Sequence, residues 1–199
     1  MAYGTNAAQG LVIVGRIDGS PWNGAVREYP IASGYATAIG TNDPVISLAD
    51  GTIGIGVAGS PARGVFLGCK YTDTSGVFQR KPNWVASTTV LTGTVPIALV
   101  ADDPNLLFDV QETNGSGAAG TALALADRNL NIDFLIGAPN ARTGISTTSI
   151  NNATEAATAT LNLKIIGLSP RPGNVVGSFA NWLCAWNTHE LKSVGTTGL

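Results

Sequence analysis

Between closely spaced glycines and prolines the chain carries short runs in which apolar residues alternate with polar ones or fill nearly every position. Residues 11–17, 44–49, 64–71, 77–80, 88–101, 106–111, 159–168 and 179–186 read as β candidates. Many are rich in Val, Ile, Leu, Thr or aromatics and end at Gly, Pro, Asn or Asp. The clearest alternation sets Leu161, Leu163 and Ile165 on one face and Thr160, Asn162 and Lys164 on the other, which predicts a half-buried strand. Short strands joined by Gly/Pro turns favour a mainly β fold, a sandwich or a barrel-like (jelly-roll-type) domain, with at most short helices.

Four segments modify this pattern. Residues 113–120 (Thr-Asn-Gly-Ser-Gly-Ala-Ala-Gly) have loop composition, and residues 121–128 hold enough Ala and Leu for one or two helical turns. Residues 179–186 fit both periods: Phe179, Trp182, Leu183 and Trp186 at helical spacing, or Trp182, Cys184 and Trp186 on one strand face. Three aromatics in eight positions favour the strand. In the first forty residues glycine recurs at 4, 10, 15, 19, 24, 34 and 40, too often for a compact core. Asp18-Gly19-Ser20-Pro21 and Trp22-Asn23-Gly24 read as turns. The expected organisation is an extended N-terminal arm or edge hairpins over 1–40, followed by a single β-rich domain over 41–199.

Composition narrows the function classes. Charged residues are 12% of the chain, about half the usual share, while the 44% apolar fraction is ordinary. A net charge of −2 with scattered Lys and Arg argues against a nucleic-acid partner. The longest apolar stretches, such as 95–101, fall far short of the ~20 residues that span a bilayer, so no membrane association is expected. Sparse charge suits surfaces built for permanent assembly, because burying unpaired ions costs several kcal/mol; an uncharged extracellular β-module would share it. The first residues show no export signal. Cys69 and Cys184 are accordingly expected as reduced, buried thiols.

Candidate chemistry is thin. Gly54-Ile-Gly56-Val-Ala-Gly59 matches the dinucleotide pattern literally. That pattern works only where it opens a helix, and Ser60-Pro61-Ala62-Arg63-Gly64 leads instead into the next strand. His189, the only histidine, has Asn187, Thr188 and Glu190 as neighbours and no nucleophile; a polar network near the last strand suits it better than a triad or metal site. Asp102 and Asp103 before Pro104 could serve acid/base work or Ca²⁺, but adjacent acids before a proline more often make a turn whose Asp caps the backbone. Trp182 and Trp186 could line a sugar platform, though large aromatics dominate cores and subunit interfaces. No catalytic, cofactor-binding or metal-binding set is expected, and no enzyme.

A set of segments in fixed order carries a family resemblance. They are Gly-Ser-Pro-Trp-Asn-Gly (19–24), Gly-Thr-Asn-Asp-Pro-Val (40–45), Arg-Gly-Val-Phe-Leu-Gly-Cys-Lys-Tyr (63–71), Asp-Asp-Pro (102–104) with Phe-Asp-Val-Gln (108–111), Leu-Lys-Ile-Ile-Gly-Leu-Ser-Pro-Arg-Pro (163–172) and Trp-Asn-Thr-His-Glu-Leu (186–191). Together they resemble virion structural proteins of tailed bacteriophages that act as capsid decoration, or cement, proteins. The resemblance implies a β-rich homotrimer, made in the host bacterial cytoplasm, that sits on the capsid exterior and holds the major capsid protein by binding alone. Within that expectation Pro21, Trp22 and Asn23 are candidate capsid contacts, and Trp182 and Trp186 candidate subunit-interface residues. A tail- or fibre-associated carbohydrate- or receptor-binding module is the alternative, and a hydrolase using Asp102 or Asp103 a distant third.

Overall fold

The computed structural model describes residues 4–192. Thirteen strands follow one another along these residues: β1 (Val12–Arg16), β2 (Arg27–Pro30), β3 (Pro44–Ser47), β4 (Ile53–Ile55), β5 (Gly64–Thr72), β6 (Phe78–Lys81), β7 (Ile97–Ala101), β8 (Leu106–Thr113), β9 (Asn131–Ile132), β10 (Phe134–Leu135), β11 (Ser149–Asn151), β12 (Leu163–Leu168) and β13 (Asn181–Trp186). A single 3-10 turn, Leu125–Asp127, is the only helical element among the described residues. It supplies one helical turn within 121–128, where one or two were expected, and no helix among the described residues is long and apolar enough to cross a membrane. The architecture is mainly β, of sandwich or barrel-like type.

The strands form two sheets. One runs β10-β11-β8-β13-β12-β9, with β1 also on β8; the other runs β2-β7-β5-β3-β4, with β6 also on β5. Each sheet is organised by its longest strand. On one edge of β8, β1 pairs with Leu106–Asp109 and β11 with Glu112 and Thr113, while β13 runs along the other edge. On one edge of β5, β3 pairs at Gly64 and Val65 and β6 at Cys69–Thr72, while β7 occupies the other. The β11–β8 pair is parallel and the rest are antiparallel.

Two hydrophobic cores result. The larger gathers Leu106, Phe108 and Val110 of β8, Leu163 and Ile165 of β12, and Trp182, Cys184 and Trp186 of β13. Phe108 and Trp186 meet edge to face, their ring centroids 4.9 Å apart, the arrangement that aligns the positive edge of one ring with the negative face of the other. The smaller gathers Val45, Phe66, Cys69, Trp84, Ala98 and Val100. Successive residues of a strand point to opposite faces, so Val65 enters the first core and Phe66 the second. That double burial explains the unbroken apolar run in β5.

Glycines make this crossing possible. Gly64 approaches so closely that a Cβ there would lie 2.3 Å from the Ala101 carbonyl oxygen. Gly68 closes the register shift in β5 at φ +144°, a conformation only glycine adopts at ease, and its missing side chain faces the Lys81 carbonyl.

Residues 4–40 meet these sheets at several points. β1 joins the first sheet and β2 the second, and ahead of β1 the Ala7 amide donates to Gln111 Oε1 (2.8 Å). Residues 159–162 and 88–96 lie outside strands, so the expected strands over 159–168 and 88–101 shorten to β12 and β7. Asn162, expected on a solvated face, is fully buried. Its Oδ1 accepts from the Gly59 amide (2.8 Å) and its Nδ2 donates to the Ser60 carbonyl (2.6 Å). Its carbonyl accepts from the Asn187 and Thr188 amides. It sits just before β12 and brackets the 57–61 loop to the C-terminal segment, so its polarity serves the interior.

Candidate interaction surface

The residues singled out in the sequence fall in four places. Trp182 and Trp186 are buried in the larger core, at 0% and 1% exposure, so they cannot form a contact between subunits. The strand parity that puts them together aims them inward. Pro21 and Asn23 are exposed in the linker between β1 and β2, while the Trp22 ring is half-buried against the larger core. Cys69 and Cys184 are free and buried in different cores. Burial pushes the Cys69 thiol up to about 11 and raises Cys184 further. Gly54 belongs to β4, and residues 56–59 turn back from it without a helix.

The acidic pair and the histidine meet at one brace. Residues 102–105 carry the chain from β7 in one sheet to β8 in the other. Asp103 caps the Asn105 amide (2.9 Å) and pairs with Arg16 (2.9 Å). Asp102 accepts from the Tyr29 hydroxyl (2.6 Å) and pairs with Arg27 (3.2 Å). Arg63 donates two hydrogen bonds to the same hydroxyl and reaches Glu190 at 3.5 Å. Glu190 in turn accepts from the Ser47 amide and hydroxyl. His189 lies buried beside it, its Nδ1 taking the Leu191 amide (3.1 Å). That acceptor role places the neutral ring's proton on Nε2, and burial lowers the pKa to about 4. Every carboxylate here holds a structural partner, and the network ties β2, β3, β7 and the C-terminal segment together.

A second acid stands alone. Glu112, on β8, is fully buried; its Oε2 accepts from the Leu123 amide (3.0 Å), while Oε1 has no partner. The Trp182 indole lies close enough to favour the ionised form without a well-formed hydrogen bond. Burial dominates and holds the carboxyl up at about 7.

The outer face of the first sheet is different. β8 reads Leu-Leu-Phe-Asp-Val-Gln-Glu-Thr and β13 reads Asn-Trp-Leu-Cys-Ala-Trp, so the parity opposite the core mixes Leu107, Leu183 and Ala185 with Asp109, Gln111, Thr113 and Asn181. One parity fills the larger core. The other leaves Leu107 and Leu183 half-buried on an open groove of about 480 Å³, which Val14 of β1 and Pro170 also line. Val14 is 49% exposed, and Ile166 on the neighbouring β12 is 40% exposed. Beside them Asp109 is nearly buried, held by Arg171 Nε (2.5 Å), the Ser169 hydroxyl (2.9 Å) and Asn181 Nδ2 (2.8 Å). The face is therefore apolar at its centre with one neutralised ion pair at its side. Its apolar members, Leu107 and Leu183, sit inside the short runs 106–108 and 182–184, which strand assignment reads only as core.

No family model, curated protein or solved structure matches the chain.

Proposed function

We propose that the chain is a tailed-phage virion structural protein that decorates the outside of the head and cements the mature shell. The observation that carries this reading is the apolar patch on the outer face of the first sheet, where Val14, Leu107, Ile166 and Leu183 stay partly exposed near the neutralised Asp109–Arg171 pair. A partner that covers Val14, Leu107, Ile166 and Leu183 removes each from water, at roughly 1.5–3 kcal/mol for a fully buried aliphatic side chain. Low charge and an ordered set of segments that resembles those of decoration proteins support the same reading. The partner is the major capsid protein, and a homotrimer would engage several capsid subunits at once. Linked contacts of modest strength then add through effective concentration, and preferential binding to the mature lattice stabilises it by mass action.

The test adds purified protein to heads that lack it and follows the temperature at which they rupture. Bound protein is expected to raise that temperature. A Leu107→Lys/Leu183→Lys variant should stay folded and lose roughly 30-fold in affinity, since binding buries only the still-exposed half of each leucine, ~1 kcal/mol apiece. An unchanged rupture temperature with the parent protein overturns the cement role, and attachment to tails rather than heads supports the receptor-binding alternative.

A further inference from the structure

We propose that Asn23-Gly24 is a site of spontaneous succinimide formation, and that the folded chain protects its other Asn-Gly pair, Asn114-Gly115, from the same reaction. The chemistry needs no enzyme. The deprotonated backbone nitrogen of Gly24 attacks Cγ of Asn23 and forms a C–N bond. The side-chain nitrogen leaves as ammonia, taking a proton from water, and a cyclic imide remains. Water then opens either carbonyl of the ring, giving aspartate or isoaspartate. No electrons change hands. A following glycine favours the attack because it puts no Cβ in the path of the approaching carbonyl.

The two pairs share this local chemistry and differ in what holds them. Asn23 and Gly24 are both exposed. Gly24 sits at φ +80° with open space where a side chain would go. Residues 21–26 make no backbone–backbone hydrogen bonds among the described residues. Among the described residues, the only hydrogen bond to the Asn23 side chain comes from the Ala25 amide to Oδ1 (3.1 Å). That donor polarises the carbonyl under attack and leaves the departing amide nitrogen unheld.

Asn114 is clamped instead. Its Oδ1 accepts from the Ser116 amide (3.0 Å), the Ser116 hydroxyl (2.8 Å) and the Ala118 amide (2.9 Å), and its Nδ2 donates to the Ala119 carbonyl (3.0 Å). Its own amide donates to Ala118 (2.8 Å) and its carbonyl accepts from Gly117 (2.9 Å). Swinging Cγ onto the Gly115 nitrogen breaks several of these bonds together, and the leaving nitrogen is tied down.

The consequence lies in the linker between the sheets. The aspartate product adds one negative charge to a chain of net charge −2. The isoaspartate product inserts a methylene into the backbone between the docked Trp22 ring and β2. The experiment incubates the full chain at mildly alkaline pH and maps its tryptic peptides by mass; cleavage after Arg16 and Arg27 isolates Asn23 from every other asparagine. In the folded protein Asn23 should convert at least about tenfold faster than Asn114, the factor set by roughly one net hydrogen bond. In denaturant the two rates should converge, and Gly24→Ala should suppress the product at Asn23. An unmodified Asn23, equal folded-state rates, or a ratio that survives denaturation overturns the proposal.

Discussion

Replacing Glu112 with Gln tests how the core treats a buried acid. The carboxyl is fully buried, with one oxygen on the Leu123 amide and the other without a partner. Burial, reinforced by the charge on Asp127, raises its pKa from 4.5 to about 7. The folded state therefore holds this proton more tightly than the unfolded chain does. The stability it contributes is fully present below pH 4.5 and is lost as pH rises through about 7. At 1.36 kcal/mol per unit the loss is at most about 3 kcal/mol, a large part of the 5–15 kcal/mol typical of a domain. Gln keeps the shape and an oxygen for the Leu123 amide but cannot ionise. The variant should match the parent near pH 4.5 and exceed it by up to about 3 kcal/mol above pH 8. Urea unfolding of both proteins across that range measures the difference, in which titration of all other groups cancels. Parallel pH profiles for parent and variant would refute the assigned burial of an ionising Glu112.

Two further outcomes follow from the same interior. His189, held neutral at a pKa of about 4, must take up a proton when the chain unfolds in acid; stability should fall as pH drops from 6.5 toward 4, by up to about 3 kcal/mol, and His189→Gln should flatten that limb in acid denaturation. Trp186→Ala should cost about 3–5 kcal/mol and lower the melting temperature at every protein concentration, whereas a subunit-interface tryptophan would leave a folded subunit and a concentration-dependent transition.

Much of the strand inventory was legible along the chain. β1, β3, β5, β8 and β13 overlap apolar runs bounded by turn residues, β6 overlaps the candidate over 77–80, and the three aromatics of residues 179–186 correctly favoured strand over helix. The short strands β2, β4, β9, β10 and β11 were not legible. Arg27–Pro30 and Ser149–Asn151 carry little hydrophobic signal of their own, and they are strands because a neighbouring edge offers them hydrogen bonds. Asn162 misled for a related reason: its position in the alternation marked it as solvated, but the loop brought against it supplies its partners.

Local pattern was enough for the fold class, the turn at Asp102–Asn105 and the burial of both cysteines, because each depends on residues adjacent in the chain or on composition. Direction was not. Periodicity shows that Trp182, Cys184 and Trp186 share a face and that Asn181, Leu183 and Ala185 lie on the other, and both faces carry apolar residues. Which one the chain covers depends on where β8, β12 and the second sheet pack, and those are contacts between residues far apart in sequence. The aromatic face went inward, which removes Trp182 and Trp186 as subunit-interface candidates, while Leu107 and Leu183 stay half-buried on the opposite face near the exposed Val14 and Ile166.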